Sequence, residues 1–196
     1  MPNNIDTLRK IQFIIDLDGF QHGSSPFYVK EMGIVDLNKW KGKLYHFALP
    51  ISKDSVVDDK ELVTYHRQKF HVHGLELKNN DSDLPEAFIA IIIEQIILES
   101  HFNETFIAYK GGRCEKDLLE KLSARFIVNL EHLGCPKFNA LFERSDLKNI
   151  INTIRWRTSV TKRVTCGRHI QDRKHFHFHC PVEEVRHFAA WIITQR

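Results

Sequence analysis

The stretch IQFIIDLDG, residues 11–19, decides the fold. Its first half is apolar and rich in β-branched isoleucine, which is typical of a buried strand, and Asp16-Leu17-Asp18-Gly19 indicates the turn that ends it. Asp-x-Asp-Gly is also ordinary turn chemistry, so Asp16 and Asp18 have a structural interpretation beside any functional one. The stretch therefore predicts a central strand with two carboxylates at its end.

The segments that follow predict an α/β succession. Residues 27–37 and 43–50 read as two further strands with short connections, so the first three strands indicate an antiparallel meander. Residues 54–80 are polar and irregular. Beyond them, helices at 84–100, 114–122 and 146–154 and after Pro181 alternate with strands at 105–109 and 126–129. We expect a single domain, residues 1–196, with a mixed sheet of about five strands flanked by helices, the Asp16 strand central and the last helix packed against it.

Composition argues against membranes and disulfides. The longest apolar block, residues 88–98, is interrupted by Glu94 and Gln95, so no run reaches the roughly 18 apolar residues that span a bilayer. The N-terminal MPNNIDTLRK lacks the apolar centre of a signal peptide. We therefore expect an intracellular protein of the cytoplasm or nucleus, with no membrane partner, whose four cysteines form no disulfide framework.

Basic residues are concentrated between residues 155 and 174, where Asp172 is the single acid. Such a cluster either neutralises phosphates or forms a solvated loop. We predict RNA binding, with Trp156 as a stacking surface and phosphate contacts from Arg155, Arg157, Lys162, Arg163, Arg168 and Arg173.

Short motifs, in this order, resemble those of the DEDD exonucleases of the ribonuclease-H-like superfamily. Asp16 and Asp18 match the acid pair at the end of the first strand, and Glu115 matches an acid that opens a helix after a small-residue turn. His179 and Glu184 match a histidine and an acid five residues apart at the last helix. The resemblance implies a 3′–5′ exonuclease of single-stranded nucleic acid, in which carboxylates hold Mg²⁺ or Mn²⁺ and His179 is a general base.

The chain departs from the nuclease pattern at three of these positions. Aspartate stands at Asp18 where the family usually has glutamate, and glutamate stands at Glu115 and Glu184 where it usually has aspartate. Such changes move a carboxylate by about one C–C bond, and catalytic sites are sensitive to shifts of that size. A relative that has lost the acidic set is therefore the favoured interpretation.

The Maelstrom domain is such a relative, with a Glu-Cys-His-Cys zinc site in place of the acids. The chain resembles it at Glu31, at Cys166-Gly167-Arg168-His169 and at Cys180. Zn²⁺ prefers four tetrahedral ligands, and Cys-x-x-His supplies two of them from one turn. The resemblance implies a structural Zn²⁺ that orders residues 155–180. The competing interpretation is that the cysteines fill the core as small hydrophobes.

Three functional hypotheses follow. The leading one is a Maelstrom-like, zinc-stabilised domain that binds single-stranded RNA. Its resemblance implies a role in small-RNA (piRNA-type) transposon silencing with silencing-pathway proteins as partners, and a weak single-stranded RNA cleavage independent of the acids. The second is a Mg²⁺- or Mn²⁺-dependent DEDD-type exonuclease, and the third is a catalytically inactive protein-interaction scaffold. Metal content and a nuclease assay with and without chelator separate them.

Overall fold

A computed structural model of the chain describes residues 4–21, 27–50, 59–72, 74–156 and 180–196. Its strands are β1 (Ile11–Gln21), β2 (Phe27–Asp36), β3 (Lys41–His46), β4 (Phe106–Tyr109), β5 (Ile127–Asn129) and β6 (Arg155–Trp156). Its α-helices are α1 (Asn4–Lys10), α2 (Asp59–Arg67), α3 (Phe88–Asn103), α4 (Arg113–Lys121), α5 (Phe138–Phe142), α6 (Lys148–Thr153) and α7 (Pro181–Gln195). A π-helical segment, Gln68–Val72, continues α2.

The strands form one mixed sheet in the order β5-β4-β1-β2-β3-β6. β1, β2 and β3 are the antiparallel meander that the sequence predicts, and β4 runs parallel to β1 on its other side. β5 and β6 extend the two edges in parallel. The Asp16 strand is therefore central, as expected, because β1 has neighbours on both sides.

Helices cover both faces of the sheet, which explains why β1 is apolar nearly throughout. Ile14 faces a core formed with α5, α6 and α7, whereas Phe13 and Ile15 face a second core formed with α3 and α4. A smaller third cluster joins Phe20, near the end of β1, to Tyr65 of α2. Within the ranges given above, no helix is long and apolar enough to cross a membrane.

Residues 54–80 were expected to be irregular, and the structure corrects this prediction. The described part of that segment contains α2. Among the α2 side chains that the structure describes, only that of Tyr65 is buried. Because most of α2 faces solvent, its sequence carries little of the apolar periodicity that identifies a helix. The helix expected from residue 84 begins only at Phe88, since Leu84 pairs with Phe47 in an isolated bridge.

Gly33 determines how closely α7 approaches the sheet. It lies opposite Asp16 in the β1–β2 pair. A Cβ atom at Gly33 would lie 2.5 Å from the backbone oxygen of Pro181, the first residue of α7. The absence of a side chain therefore allows the start of α7 to rest directly on β2, beside Asp16.

We expect Gly33→Ala to destabilise the protein by about 3 kcal/mol, because the new methyl group meets backbone that has no rotamer to relieve the overlap. The free energy of unfolding from denaturant titration measures this. Gly134→Ala is the control: Gly134 has open space around it and a φ of 84°, so alanine there incurs only the left-handed penalty of about 1 kcal/mol. If both variants lose the same free energy of unfolding, the close contact between position 33 and Pro181 does not determine the effect.

Candidate active site

The predicted carboxylates that the structure describes meet at one end of β1. Asp16 and Asp18 lie on β1, Glu115 lies in the first turn of α4, and Glu184 lies in the first turn of α7. All four are buried, with 4% to 8% of their surface exposed. Asp16 is close enough to interact electrostatically with the other three. His179, the remaining member of the predicted set, lies outside the described residues.

The two-residue period of β1 directs both aspartates to one face. Ile14 packs against Val185 and Phe188 of α7, and Asp16 and Asp18 follow Ile14 at alternate positions before the register shift after Asp18. Glu184 reaches the same place because Gly33 lets the start of α7 lie beside Asp16. The local sequence of three elements thus brings these acids together.

Glu115 is held by the strand itself. The backbone N–H of Leu17 donates a hydrogen bond to Glu115 Oε1 at 3.2 Å. Gly112 precedes the helix, and its missing side chain leaves the space that the Glu115 carboxylate occupies. Burial raises the pKa of Glu115 to about 7; hydrogen bonds from its own N–H and from that of Leu17 oppose the rise, and Glu184 adds to it.

The acids impose an electrostatic cost on one another. Burial raises the pKa of Asp16 well above its usual value, and the neighbouring Glu184, Glu115 and Asp18 raise it further. Buried like charges of this kind are tolerated when protons or cations neutralise them. Neutralising this cluster, by protonation or by a cation, would therefore stabilise the folded protein.

The donor set fits a hard divalent cation in its chemistry. Mg²⁺ and Mn²⁺ prefer oxygen ligands, and among the described residues Glu115 Oε2 is buried with no hydrogen-bond partner. In the same part of the chain, no three His, Cys, Asp or Glu side chains lie close enough together to hold one ion. The described carboxylates therefore form a loose cluster, and holding a cation would require them to move closer together.

A buried Glu31 pairs with a half-buried His46 next to this cluster, which the sequence analysis did not anticipate. Glu31 lies opposite Asp18 on β2, and His46 lies opposite Glu31 on β3. Glu31 is fully buried, and its Oε1 atom is 2.9 Å from His46 Nδ1. Counting back from the four-residue turn 37–40 would have revealed the pairing, because that turn fixes the register of β2 and β3.

The predicted zinc site is only partly within the described residues. Glu31 contacts His46, and Cys180 is buried at the start of α7, where it packs with Val182 and Leu44. Cys166 and His169 lie outside the described residues. The four-ligand site therefore stays a prediction.

Of the six residues predicted to contact phosphates, the structure describes one, Arg155. Arg155 lies on β6 and is exposed. The other five predicted phosphate contacts lie outside the described residues: Arg157, Lys162, Arg163, Arg168 and Arg173.

An open cleft of about 480 Å³ adjoins the acids. Asp18 and Glu115 line one side of it, and Val63 and Arg67 of α2 line another. Arg67 is the only cation among its described lining residues, and Phe27 offers an aromatic surface. Sequence analysis missed this cleft because it did not predict α2. Two of the four acids, Asp18 and Glu115, therefore line a cleft that is large enough for a nucleotide.

Comparisons with known proteins identify relatives of the fold. No family model and no curated protein matches the chain. A structure of the Mopeia virus exonuclease domain partially complexed with manganese is 13% identical, with a TM-score of 0.54, and the match covers 100% of this chain and 88% of that one. The chain therefore shares the overall fold of this viral exonuclease domain.

Two further structures of the same viral domain agree with this assignment. A manganese-depleted form is 12% identical, with a TM-score of 0.50 and coverage of 98% of this chain and 84% of that one. A form soaked with alendronate is 12% identical, with a TM-score of 0.50 and coverage of 100% and 88%. The mixed sheet flanked by helices that the sequence predicts is thereby confirmed, in this exonuclease-like arrangement.

Proposed function

We propose that this chain is a divalent-cation-dependent 3′–5′ exonuclease of single-stranded nucleic acid. The observation that carries the proposal is the convergence of Asp16, Asp18, Glu115 and Glu184, which come from three separate elements, at one end of the central strand. A purely structural role does not require four buried carboxylates to repel one another beside an open cleft. A viral exonuclease domain of the same fold has been solved with manganese, which supports Mn²⁺ as the first cation to test.

The four carboxylates would hold the cation, and the surrounding residues would place the substrate. When bound, the cation activates a water molecule and stabilises the leaving oxygen of the phosphodiester. Leu17 N–H fixes the Glu115 carboxylate towards β1. Arg67 lines the same cleft as Asp18 and Glu115, where a guanidinium can neutralise a substrate phosphate. We assign His179 the role of general base, as the sequence predicts.

The replacement of aspartates by Glu115 and Glu184 is compatible with this site. Each glutamate lies in the first turn of its helix and is close enough to Asp16 to raise its pKa. The Glu115 carboxylate also accepts a hydrogen bond from Leu17 N–H on β1. The longer side chain at position 115 therefore reaches the end of β1.

The test is degradation of a short 5′-labelled single-stranded oligoribonucleotide by the full chain. With Mn²⁺ we expect progressive shortening from the 3′ end, loss of activity on chelation, and resistance of a substrate whose 3′ end is blocked by phosphate. Cleavage that continues in excess chelator would contradict the proposal. So would internal cuts that ignore the 3′ block.

The second candidate is the Maelstrom-like zinc domain, with RNA binding and small-RNA silencing as its role. The observation in its favour is that Glu31 and Cys180 are both buried at the α7-facing side of the sheet. Metal analysis of the purified chain separates the candidates. One zinc per chain, lost in Cys180→Ala, together with RNA cleavage that survives chelation, would favour this candidate over the exonuclease.

A further inference from the structure

A second cleft, of about 570 Å³, lies at the opposite end of the sheet from the acids. It is formed by the turn between β2 and β3 together with α6 and β6, and its lining includes Trp40, Lys41, Asn149 and Arg155. The turn lies beside the beginning of β1, because Leu37 N–H donates to Gln12 O at 2.8 Å. This cleft is therefore separate from the acidic cluster at the end of β1.

Trp40 has an unusual backbone conformation and an exposed ring. Its φ is 51°, a left-handed value that is uncommon for a bulky residue and costs about 1–2 kcal/mol. A tryptophan retained for packing would be buried, yet 41% of Trp40 is exposed. Backbone strain that persists at an exposed aromatic residue points to a role in binding.

The same cleft carries two cations side by side. Lys41 of β3 and Arg155 of β6 are direct partners in the parallel pair, and both line the cleft. Like charges in adjacent strand positions are destabilising. Lys39 is ion-paired with Asp36 and Glu99, at 3.0 and 2.5 Å, whereas no described carboxylate is ion-paired with Lys41 or Arg155. An anion between these two cations would relieve their repulsion.

We propose that this cleft is a binding site for one nucleotide unit of single-stranded nucleic acid, with its base stacked on Trp40 and its phosphate between Lys41 and Arg155. Aromatic stacking beside paired cations is how proteins hold single strands without reading their sequence. Gln12 and Leu17 are five residues apart on β1, so the two sites are separated by roughly 17 Å along the strand at about 3.3 Å per residue.

The inference extends the proposed exonuclease but is tested without catalysis. Binding of a fluorescein-labelled ten-nucleotide oligoadenylate to the full chain is measured by fluorescence anisotropy in excess EDTA, so hydrolysis and cation loading play no part. A negative nuclease assay would not affect the result of this binding measurement. A negative binding measurement would not affect the proposal for the acidic site.

We expect Trp40→Gly to weaken binding about tenfold or more through the loss of stacking. Glycine adopts the left-handed conformation freely, which offsets part of the packing lost with the ring, and the melting temperature of the variant separates binding from folding. We expect Lys41→Gln with Arg155→Gln to reduce the slope of log affinity against log salt by about 1.4, because two phosphate contacts are lost. Lys43→Gln is the matched control, since Lys43 is exposed on the same strand and does not line the cleft.

Three results would overturn the proposal. The first is oligonucleotide affinity in Trp40→Gly equal to that of the unmodified chain. The second is a salt slope in the Lys41/Arg155 double variant equal to that of Lys43→Gln. The third is binding of adenosine monophosphate as tight as that of the oligonucleotide, which would indicate a free-nucleotide site. Preference for the single strand over a duplex of the same length would support the proposal.

Discussion

Asp16→Asn is expected to reduce Mn²⁺-dependent degradation of single-stranded RNA by roughly a thousandfold or more, because several kcal/mol of transition-state stabilisation depend on the cation that the carboxylates hold. Asparagine keeps the size of the side chain but removes the charge at the centre of the cluster. Asp16 is the residue on which Glu184, Glu115 and Asp18 all act electrostatically. Initial rates at saturating Mn²⁺ measure the effect.

Loss of folding does not explain such a result, because the substitution removes a buried charge that the cluster disfavours. The melting temperature of metal-free Asp16→Asn should equal or exceed that of the unmodified chain. Asp117→Asn is the control, since Asp117 is a largely exposed carboxylate of α4 that pairs with Arg113 outside the cluster. Full activity in Asp16→Asn would favour the Maelstrom-like candidate, in which the acids have no catalytic role.

Glu115→Gln is expected to stabilise the metal-free protein at alkaline pH while abolishing its nuclease activity. The pKa of Glu115 is about 7 in the folded protein, against 4.5 for an ordinary glutamate. A raised pKa means that the folded state disfavours ionisation, so stability is lost as pH rises from about 4.5 through about 7. Glutamine avoids this loss and still accepts the hydrogen bond from Leu17.

The expected difference in free energy of unfolding is near zero at pH 4 and reaches roughly 3 kcal/mol at pH 8, from a pKa shift of about 2.5 units. Denaturant titrations in EDTA at several pH values measure it. Some pH dependence remains in the variant, because burial also raises the pKa of Glu183 to about 8. Glu120→Gln, on the exposed face of α4, should give no such trend. A constant difference at every pH would show that Glu115 does not titrate as proposed.

The sequence was sufficient to predict the architecture around β1. The apolar run before Asp16 indicates a buried strand because both faces of β1 are covered, and Pro181 with the apolar spacing after it indicates α7. The acids were identified as a set through the resemblance to the DEDD exonucleases, whose motifs place them at a strand end and at helix starts. Their convergence depends on Gly33, whose role becomes visible only when α7 lies against it.

Other features of the site depend on tertiary contacts that no local pattern encodes. The cleft beside the acids needs α2, and α2 is anchored mainly by Tyr65 packing on Phe20 at a ring-centroid distance of 5.9 Å. The pairing of Glu31 with His46 depends on the register of β2 and β3. The effect of Glu115 and Glu184 on metal geometry stays a prediction, because it depends on how two separate helices place their carboxylates.

The most direct test of the central claim, that the acidic cluster is a divalent-cation site, is calorimetric titration of Mn²⁺ into the metal-free full chain and into Asp16→Asn. We expect saturable Mn²⁺ binding to the unmodified chain. In Asp16→Asn the affinity should fall below detection, although both proteins are folded. Equal Mn²⁺ binding by the two proteins, or no binding by either, would contradict it.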